Sequence, residues 1–368
     1  MTRDIVVNGR FLARRVTGVE RYGREILCHI GNSSRVESTR RQGLSGHAWE
    51  QFILPTKLGR DSILWSPANT GPLMIRNQAL TIHDLSPIEH PEWFRASFAA
   101  WYRLFLPILA RRVREVFTPS EFVKQKVIRR FRIENVTVTP NGVDHSVFHS
   151  GAKQTRFDLP ECYVLFVGSL EPRKNLNALL RAWNEIKGDF KELWLIIVGV
   201  QGNVFRPVDV SHEVERVRFL GYVEDSTLAG LYANARLFVL PSQDEGFGMP
   251  ALEAMASGTP VIVSDGGALP EVVGEAGLIF NLECHSEGAV GRVGRRPYRD
   301  HATEESHREE AEMLRFAQHD VSQLTNLMKE CLHNAGLRST LKEKGLARAK
   351  QFSWQTTAES VWKNLNEL

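Results

Sequence analysis

Short apolar runs alternate with segments of helical periodicity along the second half of the chain. The runs YVLFV (163–167), LWLIIV (193–198), LFVL (237–240) and PVIVS (260–264) are separated by amphipathic stretches such as STLAGLYANA. Strands that alternate with helices in this way are typical of a parallel sheet covered on both faces. Because such sheets bind ligands beyond the carboxyl ends of their strands, the loops after these runs are the first candidates for a site.

The first half shows the same alternation with shorter runs. Residues 5–7 (IVV) predict a strand, and TGVERYGREIL predicts a helix in which Thr17 and Glu20 have capping-box spacing. SILWSP, ALTIHDLSP and NVTVT predict further strands. The segment FAAWYRLFLPILARRV predicts a helix that ends or breaks near Pro107, since proline removes a backbone donor.

The length of 368 residues favours two domains, because single cores stop growing below that size. The polar stretch HSVFHSGAKQTRFDLP (145–160) contains Gly and Pro and marks the boundary. We therefore expect an N-terminal domain over residues 1–150, a C-terminal domain over 151–350, and a last helix over 351–368 that is able to pack back on the first domain.

The composition is that of a folded globular protein, with 42% hydrophobic residues, 24% charged residues and a formal net charge of +3. No apolar run approaches the ~18 residues that a spanning helix needs. The N-terminus also lacks the apolar core of a signal peptide, so we expect a cytoplasmic protein.

One stretch is strongly basic, because residues 111–132 hold eight Lys or Arg against two Glu. Its apolar positions recur at helical spacing, so that one face packs while Lys124, Lys126, Arg129 and Arg130 spread around the rest. These cations either form a solvated helix face or attract anionic lipid headgroups at the inner membrane face. Nucleic acid is disfavoured, because no basic and aromatic interleaving accompanies them.

Residues 284–320 interrupt the order of the second half. They are rich in Arg, Glu and His and show almost no aliphatic periodicity until Met313. A loop of that length is uncommon inside a compact domain, so we predict a flexible surface insertion that can end in a short helix. The four cysteines of the chain lie far apart and without metal-ligand spacing, which predicts thiols rather than a disulfide or metal framework.

The loop VGSLEPRKN follows the first strand of the second half and leads into a helix. Gly168 permits close approach of a ligand to the backbone, Arg173 and Lys174 supply two positive charges, and Asn175 is placed to cap the helix. Such a loop suits a diphosphate, although two surface cations in a turn are the alternative. The chain has neither a G-x-x-x-x-G-K-[ST] nor a G-x-G-x-x-G motif, which disfavours P-loop and dinucleotide enzymes.

DEGFGMPALEAMASG (244–258) places two carboxylates around the start of another helix. Pro250 favours the first helical position and Gly258 the stop, so Glu245 lies in the loop and Glu253 one turn into the helix. On one continuous helix the two would stand ~12 Å apart, too far to share a proton. They are better interpreted as separate acceptors for vicinal hydroxyls of a ribose or a hexose.

Five motifs of the chain together resemble motifs of the retaining glycosyltransferases of family 4, and they occur in the same order. They are TGVERYGREIL, HDLSPIEHPEWF, TPNGVD, FVGSLEPRKN and EGFGMPALEAMASGTPVI. The resemblance covers most of residues 1–30, 46–148 and 160–280, and the C-terminal tail is similar to the family's end. It implies the GT-B fold, an α/β architecture in which two Rossmann-like parallel-sheet domains face each other across a cleft.

The resemblance also implies roles for individual residues. Arg173 and Lys174 would hold the donor diphosphate, Glu253 the ribose hydroxyls and Glu245 the hydroxyls of the transferred sugar. The remaining donor contacts would come from the amides of Phe247, Gly248 and Met249, from Gly18 across the cleft, and from the backbone around Tyr222 and Val223 at the base. His83 would lie near the reacting sugar, whereas by itself it would be interpreted as a structural histidine at a strand end.

The implied reaction is transfer of a hexose from a nucleotide sugar, GDP-mannose or a UDP-hexose, with retention at the anomeric carbon. The acceptor would be a lipid-linked saccharide or a polysaccharide of the cell envelope, and no metal or other cofactor is expected.

Two departures leave alternatives open. The polar segment GNSSRVESTRRQGLS (31–45) is shorter than the family's, so that a strand of the first sheet is expected to be missing, and 284–320 is atypical. A catalytically impaired nucleotide-sugar-binding protein and a GT-B sugar-nucleotide epimerase are therefore the alternatives.

Overall fold

Two six-stranded parallel sheets organise the protein. The computed structural model describes residues 4–14, 16–30, 34–153, 157–202, 204–205, 214–282 and 304–368, with the backbone alone for 304–318. The first sheet has the order β2-β1-β3-β4-β5-β6 and the second the order β12-β11-β10-β7-β8-β9. All neighbouring strands run parallel. The predicted α/β class with two facing parallel-sheet units is confirmed.

The strands of the first sheet are β1 (Ile5–Asn8), β2 (Arg35–Glu37), β3 (Ile63–Ser66), β4 (Gln78–Thr81), β5 (Glu115–Thr118) and β6 (Val136–Val138). Those of the second sheet are β7 (Tyr163–Val167), β8 (Trp194–Val198), β9 (Val217–Gly221), β10 (Leu237–Leu240), β11 (Val261–Ser264) and β12 (Leu278–Phe280). We call the first sheet with its helices the N-terminal domain and the second the C-terminal domain.

The helices of the N-terminal domain are α1 (Gly18–Ile30), α2 (Gly43–Ala48), α3 (Ser86–Glu89), α4 (Ala96–Ala110) and α5 (Glu121–Phe131). Those of the C-terminal domain are α6 (Leu176–Ile186), α7 (Asp225–Asn234), α8 (Met249–Ala256), α9 (Leu269–Val273), α10 (Glu304–His333) and α11 (Ala335–Ala349), and α12 (Trp354–Glu367) ends the chain.

The strand order of the second sheet fixes where a ligand can bind. The chain runs outward from β7 through β8 to β9, returns to the other side of β7 at β10, and continues to β12. In a doubly wound sheet, the two loops on either side of such a reversal run in opposite directions and leave a crevice between them. The loops after β7 and β10, which carry the RK and EGFG motifs, therefore flank one crevice.

The last helix crosses back to the N-terminal domain. Trp354, Ala358, Val361 and Leu365 of α12 are buried in one apolar cluster with Ile5, Val7 and Tyr22 of the N-terminal domain, among other residues. The chain therefore passes between the domains twice, and the N-terminal core depends on residues from the far end of the sequence.

One of two local expectations was wrong. Residues 35–37 form β2, which pairs with β1 through Val6↔Arg35 and Val7↔Val36, so the short polar segment still supplies an edge strand. The helix around Pro107 ends at Ala110, with the proline in its last turn, which agrees with the prediction that it ends near Pro107.

The 284–320 prediction is only partly open to comparison with the structure. Residues 283–303 lie outside the described part of the chain, and 304–320 form the first half of α10. Cys331, on the same helix, is a buried free thiol, and Cys28 and Cys162 are also free.

The packing of α12 generates a stability prediction. Leu365→Ala is expected to lower the free energy of unfolding by about 2–5 kcal/mol, because the side chain is fully buried and its removal leaves a cavity. Chemical denaturation measures the change, with Leu44→Ala as the control, since Leu44 is 89% exposed and should change stability by less than about 0.5 kcal/mol. Equal effects of the two substitutions would contradict the packing of α12.

Candidate active site

The loop after β7 brings two cations to the crevice. Pro172–Lys174 form a single 3-10 turn, and Asn175 adopts a left-handed conformation (φ 50°) before α6. The side chain of Asn175 makes no capping hydrogen bond, so the predicted cap is wrong and the turn itself sets the direction of α6. Arg173 and Lys174 thereby project toward the loop after β10.

Both cations bond to Glu245. The Lys174 ammonium lies 2.5 Å from Glu245 Oε1, and an Arg173 guanidinium nitrogen lies 3.0 Å from Glu245 Oε2. A second Arg173 nitrogen lies 2.8 Å from Glu171 Oε1. Burial alone would raise the pKa of Glu245, but Lys174 and Arg173 outweigh it and lower that pKa to about 2. Glu245 is therefore ionised at neutral pH and can accept hydrogen bonds but not donate a proton.

Glu253 has the opposite electrostatic environment. It lies on α8, is buried, and accepts a 3.2 Å hydrogen bond from the Tyr232 hydroxyl. Burial raises the pKa of Glu253 to about 7, although the nearby Arg21 favours the ionised form. The two glutamates of the E-x7-E motif thus differ by several units in pKa, and neither has the other among the groups that shift it.

The segment between the two glutamates turns into α8. Phe247 is buried, Gly248 has a φ of 99°, which favours glycine, and Met249 begins the helix. The first amides of a helix point out of its N-terminus and favour negative charge there. The geometry is therefore compatible with the predicted contribution of the 247–249 amides to an anionic ligand.

On the N-terminal side, His83 is held by the loop after β3. Its backbone amide donates to Asn69 Oδ1 at 2.7 Å, and its Nε2 lies 2.7 Å from the Pro67 carbonyl oxygen. Since a carbonyl only accepts, Nε2 carries the proton and Nδ1 is an acceptor in the neutral ring. Burial lowers the pKa of His83, which favours this neutral form. Asn69, with a φ of 59°, was missed in the sequence because only its turn conformation gives it this role.

The N-terminal and C-terminal halves of the site contact each other through backbone atoms. A Cβ added at Gly246 would lie 2.0 Å from the His83 carbonyl oxygen, so the domains approach as closely as two peptide groups allow. The Ser120 hydroxyl donates to the Gly246 carbonyl at 2.7 Å. Glycine is thus required at 246 for a close approach between domains, in the middle of the EGFG motif.

Asp244 ties the same loop to the N-terminal domain through side chains. The Ser86 hydroxyl lies 3.1 Å from Asp244 Oδ2, and the Lys126 ammonium lies 3.2 Å from Oδ1 and 2.7 Å from Glu89 Oε2. Burial would lower the pKa of Lys126, but Asp244 and Glu89 raise it. Lys126 was expected among the membrane-facing cations; instead it belongs to the domain interface, because these two carboxylates hold its charge.

A third contact between the domains begins near Gly18. Glu20 accepts a 3.2 Å bond from the Thr17 amide, as the capping-box spacing predicted, and fixes the start of α1. Arg21, one residue later, forms two bonds of 2.8 and 2.6 Å to Asp225 at the start of α7. Sequence reasoning missed this pair, because no local pattern indicates that α1 faces α7.

The predicted base-binding residues lie beside that contact. Tyr222 and Val223 follow β9 and precede Asp225, with Tyr222 exposed and Val223 buried. Gly168 directly follows β7, and its amide donates to Val198. The structure therefore places Gly18, Tyr222 and Val223 next to the Arg21–Asp225 contact between the domains, and Gly168 at the end of β7 within the C-terminal domain.

Within the described part of the chain, Glu89, His90 and Asp244 could together offer ligand atoms to a metal ion. The Lys126 ammonium already bonds to both carboxylates of this group and supplies a compensating positive charge. The expectation that the site needs no metal stays a prediction.

Both domains of the chain resemble known proteins. Residues 151–287 match the family model described as glycosyl transferases group 1, and residues 64–147 match that of glycosyltransferase family 4. The chain is 28% identical to O-antigen chain mannosyltransferase B of Escherichia coli, over 80% of this chain and 72% of that protein. It is 32% identical to O-antigen chain mannosyltransferase RfbU of Salmonella typhimurium, over 63% of this chain and 64% of that protein.

Solved structures share the fold. HepE of Anabaena, crystallised with UDP and glucose, superposes with a TM-score of 0.67 at 16% identity and full coverage of both chains. WaaG, a glycosyltransferase involved in lipopolysaccharide biosynthesis, gives a TM-score of 0.66 at 14% identity, with 98% of this chain and 99% of that chain covered. The resemblance and the GT-B fold predicted from the motifs are confirmed.

The contact at Gly246 generates the first site prediction. Gly246→Ala is expected to prevent full closure, because its methyl group would overlap the His83 carbonyl. Small-angle X-ray scattering should give a larger radius of gyration than for the wild type, and any activity that needs the closed cleft should fall by about 100-fold. Gly188→Ala is the control, since a Cβ there meets nothing within 4 Å. Scattering from Gly246→Ala that matches a closed wild type would contradict the contact.

The raised pKa of Glu253 generates a second site prediction. Its folded value of about 7 lies above the usual glutamate value of about 4.5, so between these pH values Glu253 ionises in the unfolded chain but not in the folded protein, and stability falls as the pH rises. Glu253→Gln cannot ionise, and its stability relative to wild type should increase by about 3 kcal/mol between pH 4.5 and pH 8. Urea unfolding of both proteins across this range measures the difference, and a difference independent of pH would show that Glu253 is not neutral in the folded protein.

Proposed function

We propose that this chain, which belongs to the family 4 glycosyltransferases, transfers a hexose from a nucleotide sugar to an acceptor hydroxyl with retention of configuration. The observation that carries the proposal is the convergence of Arg173, Lys174 and Glu245 at the strand reversal of the C-terminal sheet. Fixed cations beside a fixed carboxylate suit a donor that has a diphosphate on one side and sugar hydroxyls on the other.

Arg173 and Lys174 bind the diphosphate in this proposal. As the bond to the anomeric carbon breaks, negative charge develops on the departing diphosphate and the sugar becomes oxocarbenium-like. Cations that are already in place stabilise that charge without reorganisation. Bonds to Glu245 and Glu171 hold Arg173 in position before the donor arrives, which supports this role.

The two glutamates bind hydroxyl groups in different parts of the donor. Glu245, ionised by its cations, accepts from the hydroxyls of the transferred sugar, and the amides of Phe247, Gly248 and Met249 contribute beside it. Glu253, oriented by Tyr232, accepts from the ribose. The low pKa of Glu245 supports an acceptor role and gives it no proton to donate.

The N-terminal domain completes the donor site across the cleft. Gly18 faces the donor, and His83 lies near the reacting sugar, with Nδ1 available as an acceptor. The Gly246 contact supports this placement, since it joins the loop of Glu245 to His83 directly. The base is received by the backbone of Tyr222 and Val223.

Retention follows from the leaving group in this proposal. A departing phosphate oxygen takes the proton of the acceptor hydroxyl on the same face of the sugar, so no enzymic nucleophile and no metal are required. Glu245 acts on the reacting carbon through its negative charge and does not act as a base.

Mannose is the proposed sugar and GDP-mannose the proposed donor, with a UDP-hexose as the alternative. The names of the O-antigen mannosyltransferases among the relatives support mannose, while the UDP bound by HepE supports the alternative nucleotide. The proposed acceptor is a lipid-linked saccharide in cell-envelope glycan synthesis, which would bring the enzyme to an anionic membrane surface.

One of the two reasons for considering a catalytically impaired binding protein is removed by the structure. The strand expected to be missing from the N-terminal sheet is present as β2, while the atypical stretch 284–320 lies largely outside the described residues. An epimerase would release an altered nucleotide sugar in the absence of acceptor, so product analysis without acceptor distinguishes that alternative.

The donor site generates a binding prediction. Arg173→Ala should weaken GDP-mannose or UDP-hexose binding by about 1.5–3 kcal/mol, because a hydrogen bond to a charged group is lost. Isothermal titration calorimetry measures the change, with Arg181→Ala, an exposed arginine on α6, as the control. Unchanged affinity in Arg173→Ala, or no binding of any nucleotide sugar to the wild type, would contradict the proposed site.

A further inference from the structure

The outward face of α4 is apolar. Trp101, Leu104 and Ile108 are 40%, 73% and 49% exposed and follow each other at helical spacing. The inward face of the same helix, including Phe105 and Leu109, is buried in the N-terminal core. A surface helix of a globular protein normally turns a polar face to water, so α4 carries an apolar face that its own domain does not cover.

Neighbouring segments extend this face on both sides. The ring of His47 on α2 lies 5.2 Å from that of Trp101, and Leu44 on the same short helix is 89% exposed. At the other end, Arg112 donates to the Leu73 carbonyl, and the adjacent Met74 is exposed. We call Trp101, Leu104 and Ile108, with Leu44 and Met74, the α4 face. Exposed apolar patches of this kind mark interaction surfaces.

The charged residues of α4 and of the turn after it have one sign. Residues 96–114 contain four arginines and no acidic residue, and Arg103, Arg111 and Arg112 are exposed. An apolar face edged by cations is complementary to a layer that is anionic at its surface and apolar beneath it. Among the described residues no helix is both long and apolar enough to cross a bilayer, so contact through this face would be superficial.

The position of α4 connects this surface with the cleft. The amide of Arg95, directly before α4, donates to the Val204 carbonyl of the C-terminal domain at 2.9 Å. Helix α3, which precedes it, holds Asp244 through Ser86. From there α4 runs about 20 Å across the N-terminal domain. A bilayer against α4 would thus lie beside the cleft.

We propose that the α4 face docks the protein on the surface of an anionic lipid bilayer, with Trp101, Leu104 and Ile108 inserted among the headgroups. Helix α5, the sequence-based candidate, offers no comparable surface, because Val123, Val127 and Phe131 are buried and Lys126 is held at the domain interface. The biological sense of the docking rests on the proposed lipid-linked acceptor, but the binding itself needs no substrate.

Flotation of the full chain with lipid vesicles tests the proposal. The wild type should float with vesicles of phosphatidylcholine and phosphatidylglycerol, and less with phosphatidylcholine alone. The double substitution Leu104→Glu and Ile108→Glu should reduce flotation by at least about tenfold, because it places two charges in the inserted stripe. Lys344→Glu, on an exposed position of α11 in the C-terminal domain, changes the net charge by the same two units and should float like the wild type.

Further measurements on the same proteins separate the outcomes. Nucleotide-sugar affinity should be equal in the wild type and the double variant, so a loss of flotation with unchanged affinity supports docking, whether or not transfer is observed. Equal flotation of the double variant and the wild type, or a wild type that floats with neither vesicle, would overturn the proposal. A wild-type dimer that the double variant converts to a monomer, without any vesicle binding, would assign the face to a second copy of the chain and overturn it as well.

Discussion

The ion pairs of Glu245 with Lys174 and Arg173 are the interaction on which the site depends. They join the loops after β7 and β10 at the point where the C-terminal sheet reverses direction. The residues on either side of Glu245 face the other domain, since Asp244 bonds to Ser86 and Lys126 and Gly246 contacts the His83 carbonyl. One short loop therefore sets both the charge of the donor site and the approach of the N-terminal domain.

The same loop explains how two glutamates of one motif differ in chemistry. Glu245 is buried against two cations, which stabilise its ionised form, whereas Glu253 is buried beside a tyrosine hydroxyl and a more distant arginine, and its pKa rises to about 7. An acid–base pair would need groups close enough to exchange protons with one substrate atom. The arrangement instead favours two acceptors that bind separate hydroxyl-bearing parts of one ligand.

Much of the fold and of the C-terminal site could be predicted, because the signals are local. The apolar runs predict the strands, Arg173, Lys174 and Glu245 lie in the loops after two of them, and Glu253 lies on the helix after the second loop. Contacts between domains carry no such signal, so the roles of Asp244, Arg21 and Lys126 were missed or misassigned. The edge strand β2 was also missed, because an edge strand of three exposed or half-buried residues needs little apolar sequence.

The two domains have different proposed roles. The C-terminal domain holds the charged donor site, while the N-terminal domain supplies His83 on one side and the apolar α4 face on another. The most direct test of the central claim is the stereochemistry of the product. With GDP-mannose or a UDP-hexose and a saccharide acceptor, nuclear magnetic resonance of the new glycosidic bond should show the α configuration of the donor. A β-linked product would contradict the proposed role of the leaving diphosphate, because it requires a base on the opposite face of the sugar.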